Sequence, residues 1–347
     1  MRLLIIIDYI SHSGGTDRVC SMIANMFNHN GHTVDIYSLN DDIPFYKVNS
    51  TVSIYTGVEK NFFKKYTDIL KLINKKSYDN VMVISMGKLS LLINFFFYFC
   101  RVNVNLVSCD HVSVESFSLL KRRLKLLSYK YASKVIVLTS NDKKYLEAHK
   151  IKNVEVIPNA SPFESLSEEY DNILIRRKRV LAVGRLTKQK SFTDLIKIWE
   201  RCNTNNWILT IVGDGEERED LISLSESLDI KNIEFLTATK DIEKYYLDSQ
   251  VLAMTSIYEG LPMVLIEAKS FGIPTIAYDC KTGPSEIICN DGYVIKERNI
   301  EQFVYMLNNI LNDDMLRSKL SERAKFNAER YSHEEIYKLW SKVMINV

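Results

Sequence analysis

The chain contains 347 residues, of which 46% are hydrophobic and 25% are charged. This length is too great for one ordinary α/β domain and suits two, and the composition excludes a largely disordered chain. The formal net charge of +2 conceals an asymmetry. Residues 1–160 hold 21 lysines and arginines against 13 aspartates and glutamates, whereas the remainder holds 24 against 30. We therefore expect two modules with different partners.

The cysteines and the apolar segments argue against several further classes of protein. The six cysteines form no CxxC pair and do not alternate with histidine, which disfavours a zinc site or a disulfide framework and suits a reducing cytosol. The apolar run at residues 3–7 is too short for a signal peptide, and Asp8 ends it. Residues 89–100 would span only about 18 Å as a helix, against about 30 Å of bilayer hydrocarbon. We expect a buried helix there and a chain that does not span a membrane.

The first half opens with a βαβ pattern. A continuous apolar run predicts a buried parallel strand at residues 2–8, and a loop containing Gly14 and Gly15 follows it. Apolar positions from Val19 to Phe27 predict a helix that Gly31 ends, before a second strand at 32–39. Further strands are predicted at 80–85, 104–109, 134–139 and 154–157. Such alternation indicates a parallel sheet with right-handed crossovers.

The same rhythm restarts in the second half. A polar stretch after Pro158-Asn159 reaches residue 179 and is a plausible linker. Strands are predicted at 179–183, 207–212, 232–236, 251–255 and 275–278, with a helix at 193–201. Doubly wound domains bind ligands at the carboxyl ends of their strands, so two facing domains would share one cleft.

The first candidate binding loop, GRLTKQK, follows the strand at 179–183. Arg185 and Lys190 lie five residues apart on it and can converge on a diphosphate. Arginine would supply a planar fork and lysine a mobile point charge. The alternative interpretation is a solvated basic loop.

The second candidate loop, EGLPMVLIEA, follows the strand at 251–255. Pro262 suits the first position of a helix that Gly272 would end, and the free N–H groups at such a helix start bind anions. Glu259 precedes the turn and Glu267 lies inside the helix, so one carboxylate can sit beside a bound sugar and the other beside a ribose. The alternative interpretation is a surface glutamate pair around a helix.

The third candidate loop spans residues 279–288, again just after a buried strand. Ser285 or Thr282 could cap the helix that follows, and this local role is compatible with ligand contact.

Together these segments resemble the retaining glycosyltransferase family 4, which has the GT-B architecture. Residues 259–268 resemble its Glu-x7-Glu signature, and GRLTKQKS resembles its basic loop, with Ser191 where glycine is usual. The segment IVGDG at 211–215 resembles its strand-end turn. Residues 279–288 are similar to the DCPTGPSEII segment of a subgroup that acts on lipid-linked oligosaccharides, with Lys281 replacing the proline. In the first half, GGTDRV resembles GGAERV, and Cys109-Asp110-His111 resembles the strand-end histidine.

This resemblance runs along nearly the whole chain and implies its organisation. It implies two facing Rossmann-like domains with a cleft between them. Residues 1–160 would bind the acceptor, residues 161–330 would bind the nucleotide sugar, and the amphipathic segment 331–347 would cross back to the first domain. Trp340 is expected to be a packing anchor of that last helix.

The resemblance also implies a role for each candidate residue. Arg185 and Lys190 would hold the donor diphosphate, Glu259 the sugar hydroxyls and Glu267 the ribose. His111 would contact the donor sugar, or else be a structural histidine at a strand end. The remaining donor-binding residues implied are Gly15, Gly213, Gly260, Leu261, Pro262, Met263 and Val264. Thr282, Gly283 and Ser285 form a possible substrate loop.

The activity implied is transfer of a hexose or N-acetylhexosamine from a UDP-sugar to an undecaprenyl-diphosphate-linked saccharide, in O-antigen, capsule or exopolysaccharide synthesis. Galactose-type donors are favoured, while glucose-type donors stay open. No Asp-x-Asp motif appears, so we predict no metal and no cofactor, with the cationic clamp offsetting the diphosphate charge. Retention of configuration is likewise taken from the resemblance.

Three other functions compete with this one. A nucleotide-sugar epimerase of similar architecture is the first alternative. A catalytically idle scaffold is disfavoured, because Arg185, Lys190, Glu259 and Glu267 are all present. A dehydrogenase is disfavoured because the first βα turn lacks GxGxxG spacing.

A basic amphipathic pattern at residues 119–134 points to a membrane surface. Its predicted apolar face comprises Leu120, Leu124, Leu127 and Tyr131, and its basic flank comprises Lys121, Arg122, Arg123, Lys125 and Lys130. Residues 62–76 add a second aromatic and basic segment. The alternative is an ordinary surface helix. We expect a cytoplasmic protein bound peripherally to the anionic inner face of the plasma membrane, with no nucleic-acid partner.

Overall fold

The computed structural model describes residues 1–12, 14–57, 62–163, 172–280 and 282–345, and the side chains of residues 62 and 63 are not described. Lys281 and part of the predicted linker therefore lie outside the described residues. The chain divides into two compact units, Met1–Ala160 with His333–Val347, and Ser161–Ser332. Each unit contains one all-parallel sheet flanked by helices, which confirms the predicted pair of Rossmann-like domains. The binding roles of the two units remain predictions.

The first unit contains a seven-stranded sheet. Its strands are β1 (Arg2–Ile7), β2 (Thr33–Ser38), β3 (Ser53–Thr56), β4 (Asn80–Ser85), β5 (Asn105–Asp110), β6 (Lys134–Val137) and β7 (Val154–Val156). They follow the order β3-β2-β1-β4-β5-β6-β7, so that β1 pairs in parallel with both β2 and β4. Strand β3 was not predicted. It is a half-buried edge strand of four residues, too short and too polar to produce a continuous apolar run.

Both faces of this sheet are buried, which explains the apolar run of β1. Helices α1 (Gly15–His29), α2 (Phe62–Lys76), α3 (Lys88–Phe99), α4 (Leu119–Ser128) and α5 (Ser140–Ala148) flank the sheet. Leu3 and Ile5 belong to the core that α1 covers. Leu4 and Ile6 belong to the core that α2 and α3 cover. Side chains alternate along a strand, so a strand covered on both faces must be apolar at successive positions.

The second unit contains a six-stranded sheet. Its strands are β8 (Arg179–Val183), β9 (Ile208–Val212), β10 (Ile233–Leu236), β11 (Val251–Met254), β12 (Thr275–Asp279) and β13 (Gly292–Lys296). The order is β10-β9-β8-β11-β12-β13, so β8 has β9 on one side and β11 on the other. This reversal of strand order is the point at which open α/β sheets bind ligands. Strand β13, another half-buried edge strand, was not predicted.

The remaining helices follow these strands. They are α6 (Phe192–Glu200), α7 (Arg218–Ser227), α8 (Glu243–Leu247), α9 (Met263–Ser270), α10 (Pro284–Ile287), α11 (Ile300–Asn312), α12 (Asp314–Ala328) and α13 (His333–Met344). Helix α13 packs in the first unit, where Trp340 lies in the same core as Phe27. Tyr337 of α13 also contacts His32, with 2.7 Å between the hydroxyl and Nε2.

The predicted helix at 119–134 is corrected in two respects. Helix α4 ends at Ser128, and a separate 3-10 turn covers Tyr129–Tyr131. Lys125, predicted on the solvated basic flank, is instead buried against Asp110 of β5. Lys125 therefore points into the unit and forms an ion pair with Asp110, the last residue of β5. No helix within the described ranges is both long and apolar enough to cross a membrane.

Candidate active site

Three loops of the second unit meet at the carboxyl ends of the adjacent strands β8, β11 and β12. The side chain of Gln189, after β8, donates to the carbonyl of Tyr258 at 2.8 Å, and the N–H of Ile257 donates to the carbonyl of Gln189 at 2.8 Å. The hydroxyl of Thr282, after β12, donates to the carbonyl of Glu259. The three segments singled out in the sequence therefore form one continuous surface.

An ion pair joins two of the predicted catalytic residues on this surface. Nζ of Lys190 lies 2.5 Å from Oε1 of Glu259, and the two side chains are only 18% and 10% exposed. Arg185 is exposed, and no hydrogen bond or ion pair of its side chain occurs among the described residues. The solvated-loop alternative therefore describes Arg185 but not Lys190.

Close backbone packing explains the glycines around the β8 loop. A Cβ built on Gly213 would lie 1.9 Å from the carbonyl oxygen of Gly184, and one on Gly215 would lie 2.2 Å from that of Leu186. The turn after β9 can therefore lie against the β8 loop only without side chains at these positions. Ser191, where the resembled family has glycine, adopts a left-handed conformation with φ 48°. The donor-binding role of Gly213 remains a prediction.

Helix α9 begins beside the Lys190–Glu259 pair. Pro262 is its N-cap and Met263 its first residue, so the prediction of Pro262 at the first helical position is wrong by one residue. Pro262 has ψ 100°, an extended conformation that places it outside the helix. Gly272 follows the helix with φ 60°, as expected of a helix-ending glycine. The start of α9 thus places the positive end of the helix dipole at the β11 loop, which carries Glu259.

Glu267 is held by an aromatic residue that no motif identifies. The hydroxyl of Tyr246, on α8, donates to Oε2 of Glu267 at 2.6 Å, and both residues are buried. The ring of Tyr246 stacks on Phe271 with 5.2 Å between centroids. This hydrogen bond orients the carboxylate of Glu267, whose contact with a ribose remains a prediction. Only the packing of α8 against α9 identifies Tyr246, because its local sequence carries no signal.

The third loop corrects another prediction. Helix α10 has Gly283 as its N-cap, with φ 105° and no side-chain capping bond, and Ser285 is exposed. Thr282 donates to the carbonyl of Glu259 instead. The capping interpretation is therefore wrong, because Gly283 occupies the cap position. A Cβ on Gly283 would lie 2.4 Å from Cδ of Pro262, so this glycine permits the close approach of the two loops.

In the first unit, two carboxylates brace the loop that leads to Gly14 and Gly15. Asp41 accepts the N–H of Ile10 at 2.7 Å and the hydroxyl of Ser11 at 2.6 Å, and Asp17 accepts the N–H of His12 at 2.8 Å. A Cβ on Gly14 or Gly15 would meet no atom within 4 Å. The protein itself thus gives no steric reason for these glycines. The sequence patterns assign no role to either aspartate, although Asp17 lies within the GGTDRV segment.

His111 directly follows β5, and its N–H donates to the carbonyl of Ser85 at 2.9 Å. Burial lowers the pKa of its imidazole to about 4, although the carboxylate of Asp110 opposes this shift. The ring is therefore neutral at pH 7, with one donor and one acceptor nitrogen. Such a ring suits contact with an uncharged sugar hydroxyl as well as a structural role.

Across the described segments, no group of three or more histidine, cysteine, aspartate or glutamate side chains is arranged to hold a metal ion. Metal independence of the reaction remains a prediction.

Known proteins identify the family. Residues 168–326 match the family model described as glycosyl transferases group 1. The amylovoran biosynthesis glycosyltransferase AmsD of Erwinia amylovora is 43% identical to this chain, over 99% of both proteins. The chain belongs to the glycosyl transferases group 1 family. The β8 loop, the Lys190–Glu259 pair and α9 of this glycosyltransferase all lie within the matched residues.

Two further similarities extend along the chain. A Campylobacter jejuni α-1,4-N-acetyl-D-galactosaminyltransferase, whose name specifies an undecaprenol-diphosphate-linked GalNAc acceptor, is 26% identical over 97% of this chain and 96% of its own. The crystal structure of Anabaena HepE in complex with UDP superposes with a TM-score of 0.82, at 17% identity and full coverage of both chains, which shows the shared fold. None of these relatives supports the epimerase alternative.

Proposed function

We propose that this glycosyltransferase transfers, with retention of configuration, a hexose or N-acetylhexosamine from a UDP-sugar to an undecaprenyl-diphosphate-linked saccharide in surface polysaccharide synthesis. The observation that carries the proposal is the Lys190–Glu259 pair beside the start of α9, with Arg185 open to solvent on the same loop. Galactose-type donors are favoured by the TGPSEII resemblance and by the name of the Campylobacter relative.

The charges of the site suit a diphosphate. Arg185 offers a planar fork, Lys190 a second cation, and the first turn of α9 offers N–H groups and the positive end of the helix dipole. Together they would offset the charge that develops on the departing nucleotide, without a bridging metal. Glu259, beside Lys190, would accept hydrogen bonds from sugar hydroxyls, while Glu267 would accept them from the ribose.

Retention is explained by attack of the acceptor on the face from which the nucleotide leaves. In this proposal a donor phosphate oxygen receives the acceptor proton as the new glycosidic bond forms. This mechanism forms no covalent bond between the sugar and a carboxylate of the enzyme. Glu259 would therefore act only through hydrogen bonds to the sugar.

The acceptor class draws on two relatives. The Erwinia relative is named for amylovoran biosynthesis, and the Campylobacter relative is named for an undecaprenol-linked acceptor. A lipid-linked acceptor also suits the surface formed by α3 and α4 in the first unit.

That surface, the α3–α4 face, is apolar and basic. Tyr98, Phe99, Leu119, Leu120, Leu124 and Leu127 are its exposed apolar side chains. Arg101, Lys121, Arg123 and Lys130 are exposed basic residues on the same two elements and the turns after them. Tyr98 stacks on Tyr131 with 3.9 Å between ring centroids, which joins the end of α3 to the turn after α4. We propose that this face binds the anionic cytoplasmic leaflet peripherally, close to the lipid-linked acceptor.

A panel of UDP-sugars tests the reaction. Each sugar is supplied with an undecaprenyl-diphosphate-linked saccharide, and the anomeric configuration of the product is read by NMR. We expect turnover with a UDP-hexose or UDP-N-acetylhexosamine and an α-linked product from an α-linked donor. A β-linked product would refute retention, and the absence of turnover with every UDP-sugar would refute the donor class.

A further inference from the structure

A cluster of polar side chains is buried behind His111 in the first unit. Nζ of Lys125 lies 2.8 Å from Oδ2 of Asp110, and the hydroxyl of Ser90 donates to Oδ1 of Asp110 at 2.6 Å. The hydroxyl of Tyr129 also donates to Asp110, and Lys125 also donates to Ser90. All four side chains are at most 4% exposed. This Asp110 cluster joins β5 to α3, α4 and the turn after α4.

Stability alone is a weak reason for such a cluster. Removing two charges from water costs several kcal/mol for each ion, and the attraction between them repays this only in part. Lys121 and Arg123, on the same helix, keep their charges at the surface. Lys125 is instead buried beside Asp110, although apolar side chains in place of both residues would fill this part of the core at similar or lower cost. The cluster therefore calls for a role other than holding the helix in place.

Its position suggests that role. Asp110 is the last residue of β5, and His111 follows it directly. The N–H of His111 binds the carbonyl of Ser85, while the hydroxyl oxygen of Ser85 accepts the N–H groups of Gly87 and Ser90. The backbone of His111 and the side chain of Asp110 are thus both fastened to the β4–α3 connection.

We propose that Lys125 is a positioning residue for His111. Lys125 neutralises Asp110, so that this carboxylate can hold the end of β5 without favouring protonation of the adjacent imidazole. An uncompensated carboxylate next to a histidine stabilises the charged imidazolium. The inference rests on the proposed contact of His111 with the donor sugar, because a neutral ring is what such a contact needs.

The charged and titratable groups that act on this cluster lie on β5, on α4 and the turn after it, and on α5. Asp110 is the group that acts directly on His111. Lys125 of α4 and Tyr129 of the following turn act on Asp110. Asp142, at the start of α5, acts on Tyr129. Burial lowers the pKa of Lys125, and the carboxylate of Asp110 opposes that shift.

The test removes the charge of Lys125 alone and then the charges of Lys125 and Asp110 together, and measures the imidazole pKa of His111 by NMR of histidine-labelled protein. Among the six histidines, His111 is assigned by its loss in His111→Gln. In Lys125→Met the imidazole pKa of His111 should rise by at least about one unit, and the acid limb of the kcat profile should move up with it. In the double variant Asp110→Asn with Lys125→Met, which removes both charges, the pKa should return to within about 0.5 unit of the native value. Lys144→Met, an exposed lysine of α5, is the matched control.

A merely structural pair would behave differently. Lys125→Met would then lower the melting temperature and leave both the His111 titration and the acid limb unchanged, and that result would overturn the proposal. Tyr129→Phe keeps the test decisive if Lys125→Met does not fold, since loss of one donor to Asp110 should raise the His111 pKa by a smaller amount. If His111→Ala keeps full activity, the proposed contact of His111 with the sugar is wrong. The His111 titrations of the Lys125 and Asp110 variants still show whether the ion pair controls the imidazole pKa.

Discussion

The ammonium of Lys190 lies 2.5 Å from a carboxylate oxygen of Glu259, although 69 positions separate the two residues in the chain. The loops that carry them follow β8 and β11, which are neighbours in the sheet. An ammonium group has three donors, so Lys190 can keep Glu259 and still donate to a phosphate oxygen. The two residues proposed for the diphosphate and the sugar are thus in direct contact, and their effects should be coupled.

Single substitutions of this pair should each reduce kcat/KM strongly. We expect Lys190→Ala and Glu259→Gln to lower it by about 100-fold or more, with the fold intact by circular dichroism. The double variant should lose less than the product of the two single losses, because residues in contact are not additive. Lys188→Ala, an exposed lysine of the same loop, is the control and should change kcat/KM less than about twofold. Fully multiplicative losses would contradict the coupling.

Tyr246→Phe should weaken donor binding without slowing the chemical step. The substitution removes one hydrogen bond to Glu267, a change of about 1 kcal/mol or roughly fivefold in affinity. We expect the Kd for UDP by calorimetry and the donor KM to rise by about that factor, with kcat within about twofold of the native value. Tyr245→Phe, on the same helix, should change neither. A lower kcat at unchanged KM would show that Glu267 serves the reacting sugar instead of the nucleotide.

Two glycines should respond oppositely to alanine. Gly213→Ala places a Cβ against the backbone of Gly184, which cannot move aside as a side chain can, so urea unfolding should show a loss of about 2 kcal/mol or more. Gly15→Ala meets open space, so the fold should keep its stability or gain up to about 1 kcal/mol. The donor KM of Gly15→Ala should nevertheless rise about tenfold, if the diphosphate approaches that backbone closely. Native kinetics for Gly15→Ala would remove Gly15 from the site.

The low pKa of His111 predicts a specific pH dependence of stability. Its folded-state pKa of about 4 lies below the ordinary value of 6.5, so protonation favours the unfolded chain. The neutral His111 therefore makes its full contribution to the free energy of unfolding above pH 6.5. That contribution is lost progressively as the pH falls towards 4, to a total of about 3 kcal/mol. Urea unfolding of His111→Gln should lack this part of the acid slope, whereas His149→Gln, at an exposed position, should retain it. Equal slopes for all three proteins would contradict the prediction.

Negative charge introduced on the α3–α4 face should weaken binding of the protein to anionic membranes. The paired substitution Leu120→Glu and Leu124→Glu should lower sedimentation with phosphatidylglycerol liposomes about tenfold or more, because it removes buried apolar area and adds repulsion. Leu228→Glu, an exposed leucine of the second unit, should bind as the native protein does. Binding of the native protein should also fall steeply as salt rises. Salt-insensitive binding would argue against an electrostatic surface.

Local sequence was sufficient for the interior strands and for the loops after them. A strand such as β1 or β8, buried on both faces, needs apolar side chains at successive positions, and this leaves a continuous run in the sequence. The glycine, proline and charged residues that follow such a run mark the ends of the strands. The three loops of the second unit could therefore be predicted to meet, because parallel strands end at one edge of the sheet.

Only the tertiary structure decided which side chains pair. Lys125 belongs to a run of basic residues, and its burial depends on Asp110 at a strand end that the run does not contain. Tyr246 reaches Glu267 through the packing of two helices, and Lys190 reaches Glu259 through the order of strands in the sheet. The edge strand β3 was likewise not predicted from the sequence, because a short, half-buried strand needs few apolar residues and leaves no continuous apolar run. Sequence patterns report the environment of each segment, whereas these contacts depend on which distant segments become neighbours.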